Sequence, residues 1–570
     1  ELLPIPQLVA PGTWESRSSL ASFTYLAAPH ELGSGALDCP WSPNRDYAVG
    51  EIARRLSAEA PERTVGAAKS WLCHSRVDRH QAILPWGAGD KIARISPVTA
   101  SRRYLEHLVA AWEQAQPDAP LSEQQVVLTV PASFDAAARE LTREAALAAG
   151  LPATFVLLEE PQAAIYAWLA ALGDRWRKAL RVGDLLLVCD VGGGTTDLTL
   201  VGVADEQGDL VLRRVAVGDH LLVGGDNMDL ALAHWVAAQF AEKGVKLDPW
   251  QSVSLWHSCR AAKETLLSPQ GPRKHPIAVL GRGSKLIGGT VSIDIEREQV
   301  TQLLIEGFFP RCSADDKPAR RRASGFQEIG LPFETDTGIT RHVAAFLRAQ
   351  GGESGMARPT RLLFNGGVFK ADPLRDRLLE TLGDWAGRGA VPRVLEGEHD
   401  LDFAVARGAA YYGWTKQRGG VRIRGGTARS YYVGIESAGL AIPGAPRPLR
   451  ALCVVPFGME EGTETAVPSA EIGLVVGEPA QFRFFSSSVR KQDAPGTVLA
   501  NWSEEELAET DSLEATLPAD PTRDDHYVPV RFESKVTELG MFELWCASTQ
   551  SEQKWKLEFS VREDADDSGT

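Results

Sequence analysis

No stretch of the sequence approaches the ~20 consecutive apolar residues that a membrane-crossing helix needs, which excludes a helical membrane protein and gives no reason to expect a membrane partner. The opening residues, Glu1-Leu2-Leu3-Pro4, form no secretory signal and include no initiator methionine. Cysteine is scarce. The seven, at positions 39, 73, 189, 259, 312, 453 and 546, are far apart, odd in number and without a CxxC pair, so neither a disulfide framework nor a zinc site is indicated and a reducing cytoplasm is the expected compartment. Positive charge is in deficit: 60 Lys and Arg against 75 Asp and Glu leave a formal charge of -15, which argues against general affinity for nucleic acid or anionic lipid. Two common phosphate loops are also absent, since there is no GxxxxGK[ST] and no helix directly follows the glycine triplet as a dinucleotide fingerprint requires.

What is present centres on Asp190-Val191-Gly192-Gly193-Gly194-Thr195-Thr196-Asp197. The apolar run Leu185 to Cys189 leads in, and Leu198, Leu200 and Val201 lead out, which predicts strand, tight turn, strand. Three glycines at a hairpin tip leave no Cβ between backbone and ligand, so successive N–H groups can converge on an anion. An acid at the end of the first strand suits a hydrated hard cation that bridges to phosphate. The pattern reads as a nucleoside triphosphate site; the plain alternative is a glycine-rich hairpin with solvated polar residues.

At 570 residues, with 44% hydrophobic and 24% charged, the chain is an ordinary globular composition too long for one core, and two to four structural units are expected. Tyr47 to Arg54 reads as a strand passing into a helix, and Thr64 to Trp71 contains Lys69. Gln125 to Val130 is a β-branched strand closed by Pro131. An alanine-rich helix from about Asp135 to Ala149 follows, stopped by Gly150. Phe155 to Leu158 is a second strand, ending at Glu159-Glu160, and Pro161 opens a helix to Leu172. This alternation predicts an α/β fold with helix-covered sheets.

The stretches VVLTVPASFDAAARELTREAALAAGL, LLEEPQAA and DVGGGTTDLTL, in this order and spacing, resemble the DnaK-type heat-shock chaperone family. The resemblance implies an actin-like ATPase domain of two RNase H-like lobes over residues 1–416, then a linker (417–430), an all-β sandwich domain that binds peptide (431–562) and an acidic tail (563–570). It implies ATP and Mg as cofactors, hydrolysis assisted by Lys69, Glu160, Asp190 and Thr195, and magnesium held by Asp190 through water. Gly192, Gly193, Gly194, Thr196 and Asp197 map to the phosphate hairpin; Gly224, Gly225, Lys263, Gly366, Gly367, Lys370 and Asp402 map to the remaining nucleotide contacts. Pro131 and Arg139 map to the residues that couple the two domains. Implied partners are unfolded or extended peptides, a J-domain co-chaperone and a nucleotide exchange factor.

The sequence departs from the family's pattern in several places. Arg260, Glu264 and Leu267 replace its glutamate, arginine and serine beside the adenosine, and Lys370 stands for a stacking arginine whose planar guanidinium a lysine cannot reproduce. The linker GGVRIRGG offers only Val421 and Ile423 between arginines, and no helical lid is expected after the β domain, whose opening resembles Val433 to Gly439. The family's first phosphate hairpin, Asp-x-Gly-Thr-Thr, is expected upstream of Glu1. The arginines at 320–322 read as a solvated loop, with a docking surface for an acidic partner as the sharper alternative. Two other functions stay open: a non-catalytic or weakly catalytic interaction module on the same scaffold, and a small-molecule kinase of the actin-like fold.

Overall fold

The structure is a computed structural model that describes residues 1–557 except 30, 58, 75–76, 207–208, 280–290, 320–330, 332, 352–354, 388–390, 396–399, 419–422, 425, 428, 438–447, 461–462, 505, 511–512, 519–526 and 537–541. The arginine cluster 320–322, most of the expected linker motif, the end of the 433–439 stretch and the acidic tail therefore lie outside the described residues.

The chain opens with an antiparallel pair, β1 (Ile5–Ala10) and β2 (Thr13–Arg17), and a three-stranded sheet in which β3 (Thr24–Leu26) lies between β4 (Tyr47–Val49) and β5 (Thr64–Val65). Helices α1 (Glu51–Leu56) and α2 (Ala68–Trp71) follow β4 and β5. The long α3 (Pro97–Ala115) starts at Ser96, whose hydroxyl accepts the Thr99 N–H. β6 (Val127–Val130) and β7 (Val156–Glu159) are parallel, as strands joined by a crossover helix must be, and the crossover is α4 (Ala136–Ala148). Asp135 caps α4 by accepting the Ala138 N–H at 2.8 Å, and Gly150, at φ 94°, takes the left-handed conformation after its end. Helix α5 (Glu160–Leu172) leaves β7 without a loop, with Pro161 in its first turn, and α6 (Trp176–Ala179) follows.

The central sheet is built from β8 (Leu185–Val191), β9 (Thr196–Glu206) and β10 (Asp209–Val217). Next come α7 (Gly225–Glu242), α8 (Pro249–Leu267), the antiparallel pair β11 (Lys274–Val279) and β12 (Val291–Glu296), α9 (Arg297–Phe308) and α10 (Ile339–Ala349). β13 (Arg361–Asn365), α11 (Asp372–Ala386), β14 (Arg393–Val394), α12 (Ala404–Arg418) and β15 (Ile423–Arg424) complete this part. The six-stranded order is β14-β13-β8-β9-β10-β15. Successive residues of β8 feed opposite cores: Leu187 and Cys189 join α7, α8 and α9 on one face, Leu186 and Val188 join α5 and α12 on the other. A strand apolar on both faces belongs in a sheet covered by helices on both sides, as the alternation of strands and helices predicted. Helices α5 and α12 approach so closely that a Cβ on Gly408 would overlap the Ala163 carbonyl oxygen.

Part of the segment read as linker is ordered sheet. Ile423 and Arg424 pair in parallel with Leu212 and Arg213 at the edge of β10, and the Ile423 N–H donates to the Tyr166 hydroxyl at 2.9 Å. Beyond Ser430 the described residues carry only strands: a five-stranded antiparallel sheet around 430–436, 449–455 and 484–487, and a second around 527–536 and 542–548, which share one apolar cluster including Val433, Val454, Val530 and Leu544. The alternating run Gln481 to Phe485 is split at Arg483 between strands of different sheets. Among the described residues no helix is long and apolar enough to cross a membrane, and all seven cysteines are unpaired.

Candidate functional site

The register of the central sheet assembles the site. Asp190, near the end of β8, lies opposite Asn365 on parallel β13 and Asp197 on antiparallel β9. Ligand sites of open α/β sheets favour such carboxyl-terminal strand ends. The Asn365 amide donates to Asp190 at 2.7 Å. The hairpin predicted from the glycine triplet is present, with β8 and β9 paired up to Val191 and Thr196. Its tip is pinned to the start of α7: the Gly225 and Asp226 N–H groups donate to the Gly192 and Gly193 carbonyls at 3.0 and 2.6 Å. A Cβ on Gly224 would stand 2.7 Å from the Gly193 oxygen, which is why that position carries glycine.

The two threonines differ. Thr196 is fully buried and its hydroxyl donates to the Val223 carbonyl, so it braces the hairpin from below; Thr195 is partly exposed at the tip. β9 begins at Thr196, which is therefore held in the sheet, whereas Thr195 belongs to the turn at the tip.

Across from the hairpin, Lys69 of α2 donates to Glu160 of α5 at 2.5 Å. Burial opposes the charge on Lys69, yet Glu160 first, then Asp197 and Asp190, outweigh it and hold its pKa above the ordinary lysine value. Asp190 is pushed up to about 7 by burial and by the neighbouring Glu160 charge, against the opposing Asn365 hydrogen bond. Asp197 moves the other way. Burial would raise it, but hydrogen bonds from His220 and Ser133 and the charge of Lys69 bring it below the usual carboxylate value. Three acids around one lysine make a place where a further cation would relieve repulsion. Among the described residues no three His, Cys, Asp or Glu side chains converge as a ready-made chelate.

A cavity of about 670 Å³ opens beside the hairpin, a volume in the range of small-molecule sites. Gly192, Gly193 and Gly225 line one end, Arg260, Lys263 and Glu264 of α8 one wall, Gly367, Lys370 and Asp402 another, and Phe23 and Arg54 face them from the N-terminal part. Gly366, at φ 86°, has no room for a side chain: a Cβ would lie 2.7 Å from an Asp190 carboxylate oxygen and closer still to the Val191 carbonyl. Three of the predicted contacts are already paired. Lys370 binds Asp402 at 2.5 Å, and Lys263 binds Asp229 at 2.6 Å and the Gly225 carbonyl at 3.1 Å. Arg260 binds Asp229 at 2.7 Å and also Asp226.

Arg139 donates to Glu159 at 2.8 Å, and Glu159 is bound from its other side by the buried Arg214 of β10, which also donates to the Gly426 carbonyl. Pro131 sits in the turn between β6 and α4. Glu159, Arg214, Asn365, Ser133 and His220 were not found by sequence reasoning. Glu159 alone had a signal, an acid doubled with Glu160 at a strand end; the others are ordinary polar residues until the fold brings them to the site.

The family model described as Hsp70 protein matches residues 41–317, which include α2, the β6-α4-β7-α5 unit and the hairpin. A protein named Chaperone protein HscA homolog from Methylibium petroleiphilum is 31% identical over 244 residues, 41% of this chain and 37% of that relative. Proteins of the same name from Acidithiobacillus ferrooxidans and Acidovorax ebreus are 31% and 33% identical over 311 and 180 residues, covering 51% and 32% of this chain and 44% and 25% of the relatives. Residues 41–317 of the chain are thus similar to the Hsp70 family. The matched segments span less than half the length of these relatives; the family match contains Lys69, Glu160, Asp190 and the glycine triplet.

Proposed function

We propose that this chain is an ATP-dependent chaperone of the Hsp70 type, in which a nucleotide bound between two actin-like lobes governs the grip of the β domain (431–562) on extended, unfolded peptide. The observation that carries this reading is the glycine hairpin held open by α7 opposite the Lys69–Glu160 pair, with a nucleotide-sized cavity running from its tip. The N–H groups of Gly193 and Gly194 and the Thr195 hydroxyl would receive phosphate oxygens, and Lys69 would meet the terminal phosphate. Glu160 would orient the attacking water. Gly224, Gly225, Gly366 and Gly367 permit close approach of the remaining nucleotide, with Lys263, Lys370 and Asp402 along its base-side walls. Magnesium fits the acid cluster: Asp190 would hold it through water, and the ion would supply charge neutralisation between the phosphates. Pro131 and Arg139 would couple this site to the β domain, in line with the contact chain from Arg139 through Glu159 and Arg214 to Gly426. A J-domain protein and a nucleotide exchange factor would be its helpers, and the cytoplasm its compartment.

A second reading, nucleotide binding with little turnover, is favoured by one feature: Arg260 is engaged by Asp229 and Asp226, and Lys370, paired with Asp402, has no planar guanidinium to stack on a base. Calorimetric titration of the full-length protein with ADP, with and without magnesium, followed by single-turnover ATP hydrolysis, tests both. One-to-one Mg-dependent binding with turnover supports the chaperone; binding without turnover selects the second reading; no binding overturns both.

A further inference from the structure

Asp197 is held by two residues that the family resemblance does not single out. Ser133, in the turn between β6 and α4, donates its hydroxyl hydrogen to Asp197 Oδ1 at 2.6 Å. His220, in the segment between β10 and α7, brings Nδ1 within 3.0 Å of Ser133 Oγ and 3.3 Å of the same Asp197 oxygen. All three are largely buried, the side chains of His220 and Asp197 being 11% and 9% exposed. The segment carrying His220 is fixed on both sides: Gly218 N–H donates to the Leu198 carbonyl at 2.8 Å, and Leu221 exchanges hydrogen bonds with Thr196. Phe134 meets the imidazole edge-on at 6.1 Å between centroids.

A serine, a histidine and an aspartate in contact suggest a hydrolytic triad, but the wiring is wrong for one. In a triad the histidine stands between the other two and takes the serine hydrogen on the nitrogen far from the acid. Here one nitrogen, Nδ1, meets both partners, and the serine gives its only hydrogen to the acid. Nδ1 must then carry its own hydrogen to serve as donor to Ser133 Oγ or Asp197. Nε2 is buried with no hydrogen-bond partner among the described residues, so it cannot relay a proton onward. What the arrangement does is hold one carboxylate oxygen through the serine hydroxyl, with the single imidazole N–H at Nδ1 directed at the serine and acid oxygens together, and fix the plane of the carboxylate.

We propose that His220 and Ser133 are positioning residues for Asp197, holding Oδ1 so that Oδ2 is presented to the ligand beside the glycine hairpin. The inference rests on the nucleotide reading of the cleft and adds to it a specific pair of supports. Because Asp197 sits directly after the hairpin threonines and shares the cleft with Lys69, an unanchored carboxylate would rotate toward that cation and away from the reacting phosphate. The cost falls on turnover rather than on binding, since the glycine backbone and the cavity walls are untouched.

The test uses the full-length protein with Mg-ATP and Mg-ADP. His220→Leu keeps the volume and removes the donor; His220→Asn puts an amide N–H close to where Nδ1 stood; Ser133→Ala removes the hydroxyl. The expected result is a kcat lowered roughly tenfold to a hundredfold in His220→Leu, with KM and Mg-ADP affinity held within about twofold, and recovery of most of the loss in His220→Asn. Ser133→Ala lowers kcat in the same manner. Unchanged kcat in His220→Leu would overturn the proposal, as would His220→Asn as impaired as His220→Leu, which would mark the imidazole as packing only. Should His220→Leu fail to fold, the ratio of His220→Asn to Ser133→Ala still decides: the asparagine variant must be the faster. Wild-type protein that binds no Mg-ADP would overturn the nucleotide reading and this inference with it, an outcome distinct from normal binding with unaffected variants.

Discussion

Replacing Glu159 by Gln leaves two arginines facing each other without the carboxylate that separates them. In the native protein Glu159 is 6% exposed, Arg139 reaches one of its oxygens at 2.8 Å and Arg214, itself 6% exposed, reaches the other. A single such pair at ~4 Å is worth ~4 kcal/mol at an effective dielectric constant of ~20. Much of that is offset by the cost of taking the charges out of water, and removal of one partner from a buried ion pair has a net cost of ~3–5 kcal/mol. With a urea slope of ~3 kcal/mol/M, the unfolding midpoint of the α/β part should fall by ~1–1.7 M in Glu159→Gln. Changing Arg214 to Met as well removes one of the two stranded cations, so the double variant should be ~1–3 kcal/mol more stable than the sum of the singles. Burial would raise the Glu159 pKa, but both arginines bring it below the ordinary value. Its contribution is therefore complete at neutral pH and is lost as pH falls through that lowered value, and Glu159→Gln should lack this limb of the acid unfolding curve. Because Arg214 also holds the Gly426 carbonyl, trypsin should cut after Arg424 faster in Arg214→Met. A midpoint within ~0.3 M of wild type, or strictly additive costs, would refute the reasoning.

Other expectations follow from single contacts. Gly366→Ala forces a Cβ into Asp190 and the Val191 carbonyl and should weaken Mg-ADP binding at least roughly tenfold by calorimetry, whereas Gly367→Ala, which meets nothing within 4 Å, should stay within about threefold. Lys491 donates to the Val215 carbonyl at 2.7 Å and to Gln350, and burial pushes its pKa down to about 8. A lysine favoured in its neutral form by folding stabilises more as pH rises from there toward the ordinary value of ~10.4. The urea midpoint should climb over that window in wild type and stay flat in Lys491→Met. Gly408→Ala should cost ~1–3 kcal/mol, because the new methyl overlaps the Ala163 carbonyl where α5 and α12 meet; equal urea midpoints would contradict this.

The elements that surround the site were legible where one residue type settles the backbone. Gly150 marks the end of α4, Pro161 the first turn of α5, and the glycine triplet between two apolar runs the hairpin. What the sequence could not disclose is partnership across distance. Ser133 meets Asp197 from 64 residues away, Arg214 meets Glu159 from 55, and Lys69 meets Glu160 from 91. Nothing local to serine, histidine or arginine signals such a partner. The neighbouring threonines illustrate the same limit: both sit after the glycines, and only the start of β9 at Thr196 decides which one is buried. Lys370 and Asp402 were read as separate contacts to a ligand, whereas their ion pair depends on how the start of α12 meets the turn after β13.

In the proposed function the backbone between Gly192 and Thr195 receives the phosphates of a nucleotide. A crystal structure of the full-length protein grown with Mg-ADP tests it most directly. The diphosphate is expected against the N–H groups of Gly193 and Gly194, with Lys69 and Asp190 on either side and the nucleoside in the cavity beside α8. Nucleotide bound elsewhere, with the hairpin tip filled by its own neighbours, would contradict it.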